Sequence, residues 1–439
     1  MSIESKEFKT AYIYDIDDKP PLVLAIAYGV QWALLLFPAV LMVTALCAEA
    51  FKMDNPARVA FVQLTFLVAG GFTLIQSLWG HRYPLLEGPA TAHLLTVLSL
   101  ASYGIGTIQA GMILGSIVMF ILGLSGSIAF FSRIFTRNIV VVILILIALS
   151  ITPHLTASLL GPETGNRHHQ WLFLTFSFGV VLFTAFCNYH LKGLWKTLSL
   201  LIGVIIGTAF YPLIGKLDFS IWKQASWINL PSLWTPVKLE VSLISVVSFA
   251  IAYLAVLVNA LGSLAGIASV TDTERLNSSL KRSLIINGFS GVACGLLGIV
   301  GLVSYSISPG VVTAQRVASR YALTACGIII IIMSLVPKIA ATFAFVPTAV
   351  VSAVLCVAMG SQIGAALQMA SSSALTQRDG TVIGLSVLFG LIVSILPPSV
   401  TVSAHPVAQL FLKNGLVSGI VLSLILEHGL LKDKASEGS

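Results

Sequence analysis

Apolar residues run along this chain in stretches of about twenty, separated by short polar segments. Runs of that length are too long for strands and match what a helix needs to cross a bilayer, about 20 residues. Fourteen stretches can be delimited, at 21–45, 57–79, 84–103, 107–131, 138–158, 171–189, 193–214, 239–262, 283–300, 302–319, 321–336, 340–360, 381–397 and 404–427. The pattern therefore predicts an all-α polytopic membrane protein with fourteen transmembrane segments. Polar tails flank them at 1–20 and 429–439, and Pro20-Pro21 stops any helix before the first span.

Two stretches break the rule. In Gln76–Leu95, QSLWGHRYPLLEGPATAHLL, charge and helix breakers stand inside a chain that otherwise reads as lipid-buried. Proline suits the first position of a helix, so Pro89 predicts a helix running from there through Thr91, His93 and Leu95. Ser304-Tyr305-Ser306-Ile307-Ser308-Pro309-Gly310 has the same grammar, with Ser306 or Ser308 as cap and Pro309 as the first helical residue. A helix starting at membrane depth leaves first-turn N–H groups without partners, which is tolerated only against protein or a water-filled cavity. Paired interruptions in the two halves point to inverted repeats with a binding site at the midplane.

Composition agrees: 57% of the chain is hydrophobic and 9% charged, against roughly 25% charged in soluble domains, and mean hydropathy is +0.97. The formal net charge of +7 matters less than its distribution. With the N-terminus in the cytoplasm, 16 of the 24 Lys and Arg fall inside, among them Lys6, Lys9, Arg82, Arg133, Arg137, Arg275, Arg316, Arg320, Arg378, Lys432 and Lys434, and Lys413 is ambiguous. That asymmetry puts both termini in the cytoplasm and makes the span count even. No basic patch with interleaved aromatics stands in the chain, which excludes nucleic acid as a partner. The five cysteines are scattered without disulfide or metal spacing. The N-terminal tail lacks the apolar core of a signal peptide, so the first span is expected to direct insertion.

Outside the two interruptions the chemistry is sparse. Gln31 stands inside the first span and Asn259 is the only carboxamide in 239–262. A carboxamide at such depth is either helix–helix glue or a contact to a bound solute. Gly111, Gly115, Gly123, Gly288, Gly291 and Gly295 read as close-packing positions. His168, His169, Glu163 and Arg167 read as a solvated outer loop, and Trp222, Trp227 and Trp234 as anchors at the outer surface. No nucleophile–base constellation, P-loop or metalloenzyme motif is present, so an enzyme has no support.

Taken in order, these segments resemble the nucleobase/ascorbate transporter family, the nucleobase:cation symporters of the xanthine and uracil permease type. YGVQWALLLFPAV resembles the family's first span, with Gln31 at the Gln of its Gln-His pair and Trp32 in place of the His. GHRYPLLEGPATAHL resembles the Gly-x-Arg-x-Pro-x-x-x-Gly-Pro/Ser-Ser-Phe-Ala-Phe stretch, with Thr91 and His93 at the two Phe positions. NALGSLAG is similar to the eighth-span Glu-x-x-Gly motif. SYSISPGVVTAQRVASR is similar to the tenth-span pattern, matching at Tyr305, Ser306, Gly310, Arg316, Ser319 and Arg320.

The resemblance implies two inverted seven-span repeats whose short, broken third and tenth segments meet at the midplane. It implies a core domain of 21–135 and 239–337 and a gate domain of 136–238 and 338–428. It also implies a secondary transporter for nucleobases, a purine such as xanthine, hypoxanthine or guanine favoured over uracil, moved by alternating access with a proton or Na+ and needing no cofactor. Its substrate residues would be Gln31, Ala90, Thr91, Asn259, Ser263, Ser306, Ile307 and Ser308; the setting is the cell membrane, and a homodimer is compatible with it.

The chain departs from the family where its carboxylates stand: Asn259 replaces the eighth-span Glu, Ile307 the tenth-span Glu or Gln, and Ser308 the following Asn. An Asn can still present one donor and one acceptor to a base edge. Glu87, with His93 beyond it, is the substitute coupling group this sequence offers. Its structural alternative is a carboxylate that only accepts from the helix start. A second functional reading is an anion transporter on the same fold, because two helix N-termini facing one cavity create positive potential.

Overall fold

A computed structural model describes residues 12–125, 134–161, 167–371, 374–397, 400, 406–412 and 414–431. Lys6, Lys9, Arg133, Glu163, His405, Lys413, Lys432 and Lys434 lie outside the described residues. The helices are α1 (Leu22–Ala50), α2 (Asn55–Leu78), α3 (Thr91–Ser99), α4 (Ile105–Ser125), α5 (Arg137–Ser150), α6 (Thr152–Leu159), α7 (Arg167–His190), α8 (Ser199–Phe210), α9 (Leu243–Val270), α10 (Leu276–Leu297), α11 (Ser308–Gln315), α12 (Arg320–Ser334), α13 (Pro337–Ala344), α14 (Thr348–Ala370), α15 (Gln377–Ser394), α16 (Pro406–Leu412) and α17 (Gly415–Ile425). Two three-residue strands, β1 (Glu87–Pro89) and β2 (Leu302–Ser304), stand among them, so the fold is mostly helical rather than all-α.

Among the described residues seven helical stretches are long and apolar enough to cross a membrane, and eight if the bent pair α12–α13 counts as one. That pair turns by 86° where Pro337, which cannot continue a helix ladder, begins α13. Of the other expected spans, 283–300 and 381–397 are the continuous but less apolar α10 and α15, 84–103 becomes a strand and nine helical residues, and 404–427 divides between α16 and α17.

The order helix, helix, strand, short helix, helix occurs twice, as α1-α2-β1-α3-α4 and α9-α10-β2-α11-α12. The two sets interlock. α2 packs along α12 and α10 along α4, while α1 lies on α12 and α9 on α4. Small residues set these distances. A Cβ at Gly70 of α2 would come within 2.8 Å of the Gly327 carbonyl on α12, and one at Gly295 of α10 within 3.0 Å of the Gln109 carbonyl on α4. The glycines expected to pack closely do so. A second group is formed by α5, α7, α8, α14, α15 and α17 packed on one another.

Pro89 is not the first residue of a helix. Glu87, Gly88 and Pro89 pair antiparallel with Ser304, Val303 and Leu302, and α3 begins at Thr91 with Ala90 as its cap. Pairing with another strand satisfies the backbone earlier than a helix would, and a proline is tolerated at the end of so short a strand. In the second interruption neither Ser306 nor Ser308 caps: Ile307 is the cap residue, Ser308 is the first helical residue and Pro309 the second.

One end of the molecule is closed by the segment that precedes α1. Tyr14 forms a parallel bridge with Val317, the Ile13 N–H donates to the Arg316 carbonyl and the Arg320 N–H to that of Ile16. Asp17 accepts from Arg320 Nε at 2.7 Å and Arg275 Nη2 at 2.8 Å, and Arg320 Nη1 also donates to the Ser77 carbonyl at the end of α2. At the opposite end Gln63 Nε2 donates to the Ser334 carbonyl, Lys338 lies over Trp222 and Trp227, and Trp234 donates to the Gly298 carbonyl. Trp234 is thus half-buried against Phe51 and Phe61 rather than an anchor lying along the surface.

The Arg275 and Arg320 guanidiniums hold the Asp17 carboxyl below the usual carboxylate range. A carboxyl depressed in the folded state contributes stability above its unfolded pKa, and that contribution disappears as pH falls through the folded value. Asp17→Asn is therefore expected to lower the thermal midpoint of the purified protein near pH 7. The gap from wild type should narrow as pH drops below about 4, which thermal scans of both proteins across pH would check.

Candidate functional site

The ribbon β1–β2 lies at the centre, between α1 and α9. Because its strands are antiparallel, α3 leaves one end and α11 the other. The ladder continues outward on both sides: the Ala90 N–H donates to the Gly301 carbonyl at 2.8 Å and the Tyr305 N–H to that of Leu86 at 2.9 Å. The first-turn N–H groups of α3, those of Thr91, Ala92 and His93, have no preceding helical carbonyl to bond.

Glu87 is only 1% exposed. Its register partner is Ser304, so the two side chains share a face of the ribbon, and Ser304 Oγ donates to Glu87 Oε1 at 2.5 Å. His81 Nε2 stands 3.5 Å from the same oxygen. His81 Nδ1 accepts the Tyr83 N–H at 3.0 Å, which assigns the imidazole proton to Nε2, facing the carboxylate. Thr73 Oγ1 accepts from the Glu87 N–H, and the His81 N–H donates to Gln76 Oε1. Gln76 Nε2 in turn donates to Asn287 Oδ1 on α10. Glu87 Oε2 is buried and has no hydrogen-bond partner among the described residues.

The expected site residues divide into three groups. Glu87, Ala90, Ser263 and Ser308 meet on the ribbon: Ser263 Oγ donates to the Ser304 carbonyl at 3.0 Å, and Ser308 Oγ accepts the Leu86 N–H at 3.3 Å. Asn259 and Thr91 stand half-buried around it. Along α9, Phe249 and Tyr253 face His93, Ser263 reaches β2 and Gly266 meets Pro309. Asn259 therefore sits between the levels of α3 and of the ribbon. Gln31 is half-buried on α1, five residues before the Leu36 that packs on Gly88. Ser306 and Ile307 are exposed at the start of α11, Ile307 by 46%.

His93 is not beside Glu87. Its ring lies 4.2 Å from that of Tyr253, and Nδ1 stands against Gly301, where a Cβ would come within 2.4 Å of it. A side chain two residues into α3 turns toward α9, away from the strand that carries Glu87. The histidine that does face the acid, His81, stands in the same polar stretch, GHRYPLLEGP, and its role was available in the sequence only as a neighbouring titratable group. Ser304 carried no signal, because its place opposite Glu87 depends on strand register.

Space around the ribbon is unevenly filled. A Cβ at Gly88 would lie 2.3 Å from Tyr305 Oη and 2.6 Å from Leu36 Cδ1, whereas one at Gly262 or Gly310 would meet nothing within 4 Å. Gly88→Val is expected to cost about 1–3 kcal/mol through overpacking. Gly262→Ala should stay within about 1 kcal/mol of wild type, since helix propensity favours Ala over Gly. Thermal unfolding of the three purified proteins checks the contrast.

The model of a permease family, that of the xanthine and uracil permeases, matches residues 24–399. The uric acid permease PucK of Bacillus subtilis is 26% identical over 415 residues, covering 92% of this chain and 95% of that protein. The nucleobase transporter PlUacP of Paenibacillus larvae is 23% identical over 415 residues, 91% of this chain and 92% of its own. Among solved structures, the transmembrane domain of the cyanobacterial bicarbonate transporter BicA superposes with a TM-score of 0.58 at 15% identity, covering 85% of this chain and 97% of that one. At that identity the likeness speaks for the fold alone. The interrupted helices, the motifs around them and the match over nearly the whole length agree: this chain belongs to the xanthine and uracil permease family.

Proposed function

We propose that this protein is a secondary transporter that carries nucleobases, purines in preference to uracil, across the cell membrane by alternating access, together with a proton or Na+. Membership of a permease family and the apolar helices make it a multi-pass membrane transporter, and its relatives are permeases rather than enzymes. The observation that supports the finer reading is the ribbon: one short helix begins beyond each of its ends, and α9, which carries Asn259, runs past both. Such helix starts offer N–H donors and positive potential to a flat polar solute.

In this reading the base lies between the starts of α3 and α11. Thr91 and the N–H groups beyond Ala90 approach it from one side, Ser306, Ile307 and Ser308 from the other. Asn259 reads its edge with one donor and one acceptor, and Gln31 closes the site from α1. Ser263 positions β2 rather than touching the base. His93 acts through α9, holding α3 against Tyr253.

Residues 21–135 and 239–337 form the core that carries the site, and 136–238 and 338–428 the gate it moves against. Counting the short helices completes fourteen segments in two inverted repeats, since the repeated order of elements and antiparallel ribbon are what inversion produces. Asp17, Arg275, Arg316 and Arg320 cluster at one end, and positive-inside bias makes that end cytoplasmic, with both termini there. The anion reading is not favoured: the family is that of base permeases, and the resemblance to an anion carrier is one of backbone.

Purified protein in proteoliposomes is expected to take up hypoxanthine or xanthine, uracil less well and sulfate not at all. Sulfate uptake without base uptake would overturn the assignment. Asn259→Ala should weaken base binding by about tenfold, the loss of one or two hydrogen bonds of roughly 1 kcal/mol each, measured by radioligand binding.

A further inference from the structure

We infer that the coupling proton of this transporter resides on Glu87, paired with His81 and Ser304, and that it works by switching the charge between the two helix starts. The inference rests on the transport reading above and adds to it the residue that takes the proton and the reason cargo and proton travel together.

Three observations carry it. Glu87 and His81 are both buried at the centre of the molecule, and a buried ionisable group at membrane depth is costly enough to imply use. Their geometry assigns the proton: His81 Nδ1 is committed to the Tyr83 N–H, so His81 can gain a second proton only by breaking that bond. An arriving proton therefore goes to the carboxylate, whose Oε2 has no partner among the described residues. The third observation is position. Glu87 stands four residues before the first residue of α3, and its register partner Ser304 four residues before that of α11.

Each helix start carries roughly half a positive charge. Glu87 stands beside the start of α11, where the Leu86 N–H reaches Ser308 Oγ, and a strand's length from that of α3, so its carboxylate offsets the first strongly and the second more weakly. Protonation, Glu–COO⁻ plus H⁺ giving Glu–COOH, removes the offset and leaves a positive field at the cargo position. A base presenting carbonyl oxygens or an anionic edge then binds more tightly, and by linkage the bound base holds the proton. Release of either weakens the other.

The groups facing Glu87 fit this role. His81 comes from the α2–β1 connection, and Tyr305, from the β2–α11 connection, packs on Gly88 with its hydroxyl donating to the Pro89 carbonyl. The facing groups of α2 and β2 are Thr73 and Ser304, and of α1, Leu36 against Gly88, all uncharged. Arg320, the first residue of α12, is spent on Asp17 and on the Ser77 carbonyl near the end of α2.

Hypoxanthine binding and transport by full-length protein in proteoliposomes test the proposal. Wild type should bind about tenfold more tightly at pH 6 than at pH 8, a ratio within the usual range of site–site coupling. Glu87→Gln should bind with a pH-independent affinity near the wild-type value at pH 6. It should still exchange base in counterflow yet fail to accumulate it on a pH gradient. Ser304→Ala, a milder change that removes one donor to the carboxylate, should move the midpoint of the wild-type pH dependence upward by roughly one unit. Gradient-driven accumulation by Glu87→Gln overturns the proposal, as does a wild-type affinity that is flat with pH or an unmoved midpoint in Ser304→Ala. Wild type that binds no base at any pH overturns the transport reading itself.

Discussion

Everything at the centre of this protein answers one requirement: backbone polar groups in hydrocarbon must find partners inside the molecule. The chain leaves the helical ladder twice, and the two departures satisfy each other. Glu87–Pro89 and Leu302–Ser304 exchange the bonds that neither could make alone, and Ala90 and Tyr305 extend the exchange by one residue each way. The site follows from that pairing. Two helices are obliged to start there, and their starts supply polar backbone surface beside it.

The ribbon is held in place by helices that approach without side chains between them. Gly70 on α2 meets the backbone of α12 at Gly327, and Gly295 on α10 meets α4. Each crossing joins an element of the first set to one of the second, so the two sets form one body. A buried polar line from Asn287 through Gln76 to His81 and Glu87 crosses the same boundary. In a medium as apolar as the side chains, close backbone contact and internal hydrogen bonds replace the hydrophobic drive of a soluble core.

Much of this was legible in the sequence, because the signals were chemical. Length and apolarity of the runs gave a membrane protein. Pro89 and Pro309 marked both interruptions, and the motifs around them marked the family. What stayed hidden was whatever depends on pairing across the chain. Pro89 reads as a helix start because its missing N–H suits that place as well as it suits the end of a strand. Ser304 has no local feature that points to Glu87. His93 stands nearer in sequence to the acid than to Tyr253, yet the turn of α3 aims it at the latter. His81 and Ser304, which touch Glu87, emerge only with register and fold.

The pairing of residue 87 with residue 304 also sets a schedule for biogenesis. A ribosome delivering this chain into the membrane finishes α1 to α4 long before β2 exists, and through that interval β1 has no strand to bond. Loop closure across so many residues is entropically slow as well as late. The nascent first half must therefore wait with its interrupted segment sheltered, by the insertion machinery, by water or by incomplete entry into the bilayer. The protein can acquire its central ribbon only after more than two thirds of it has been made.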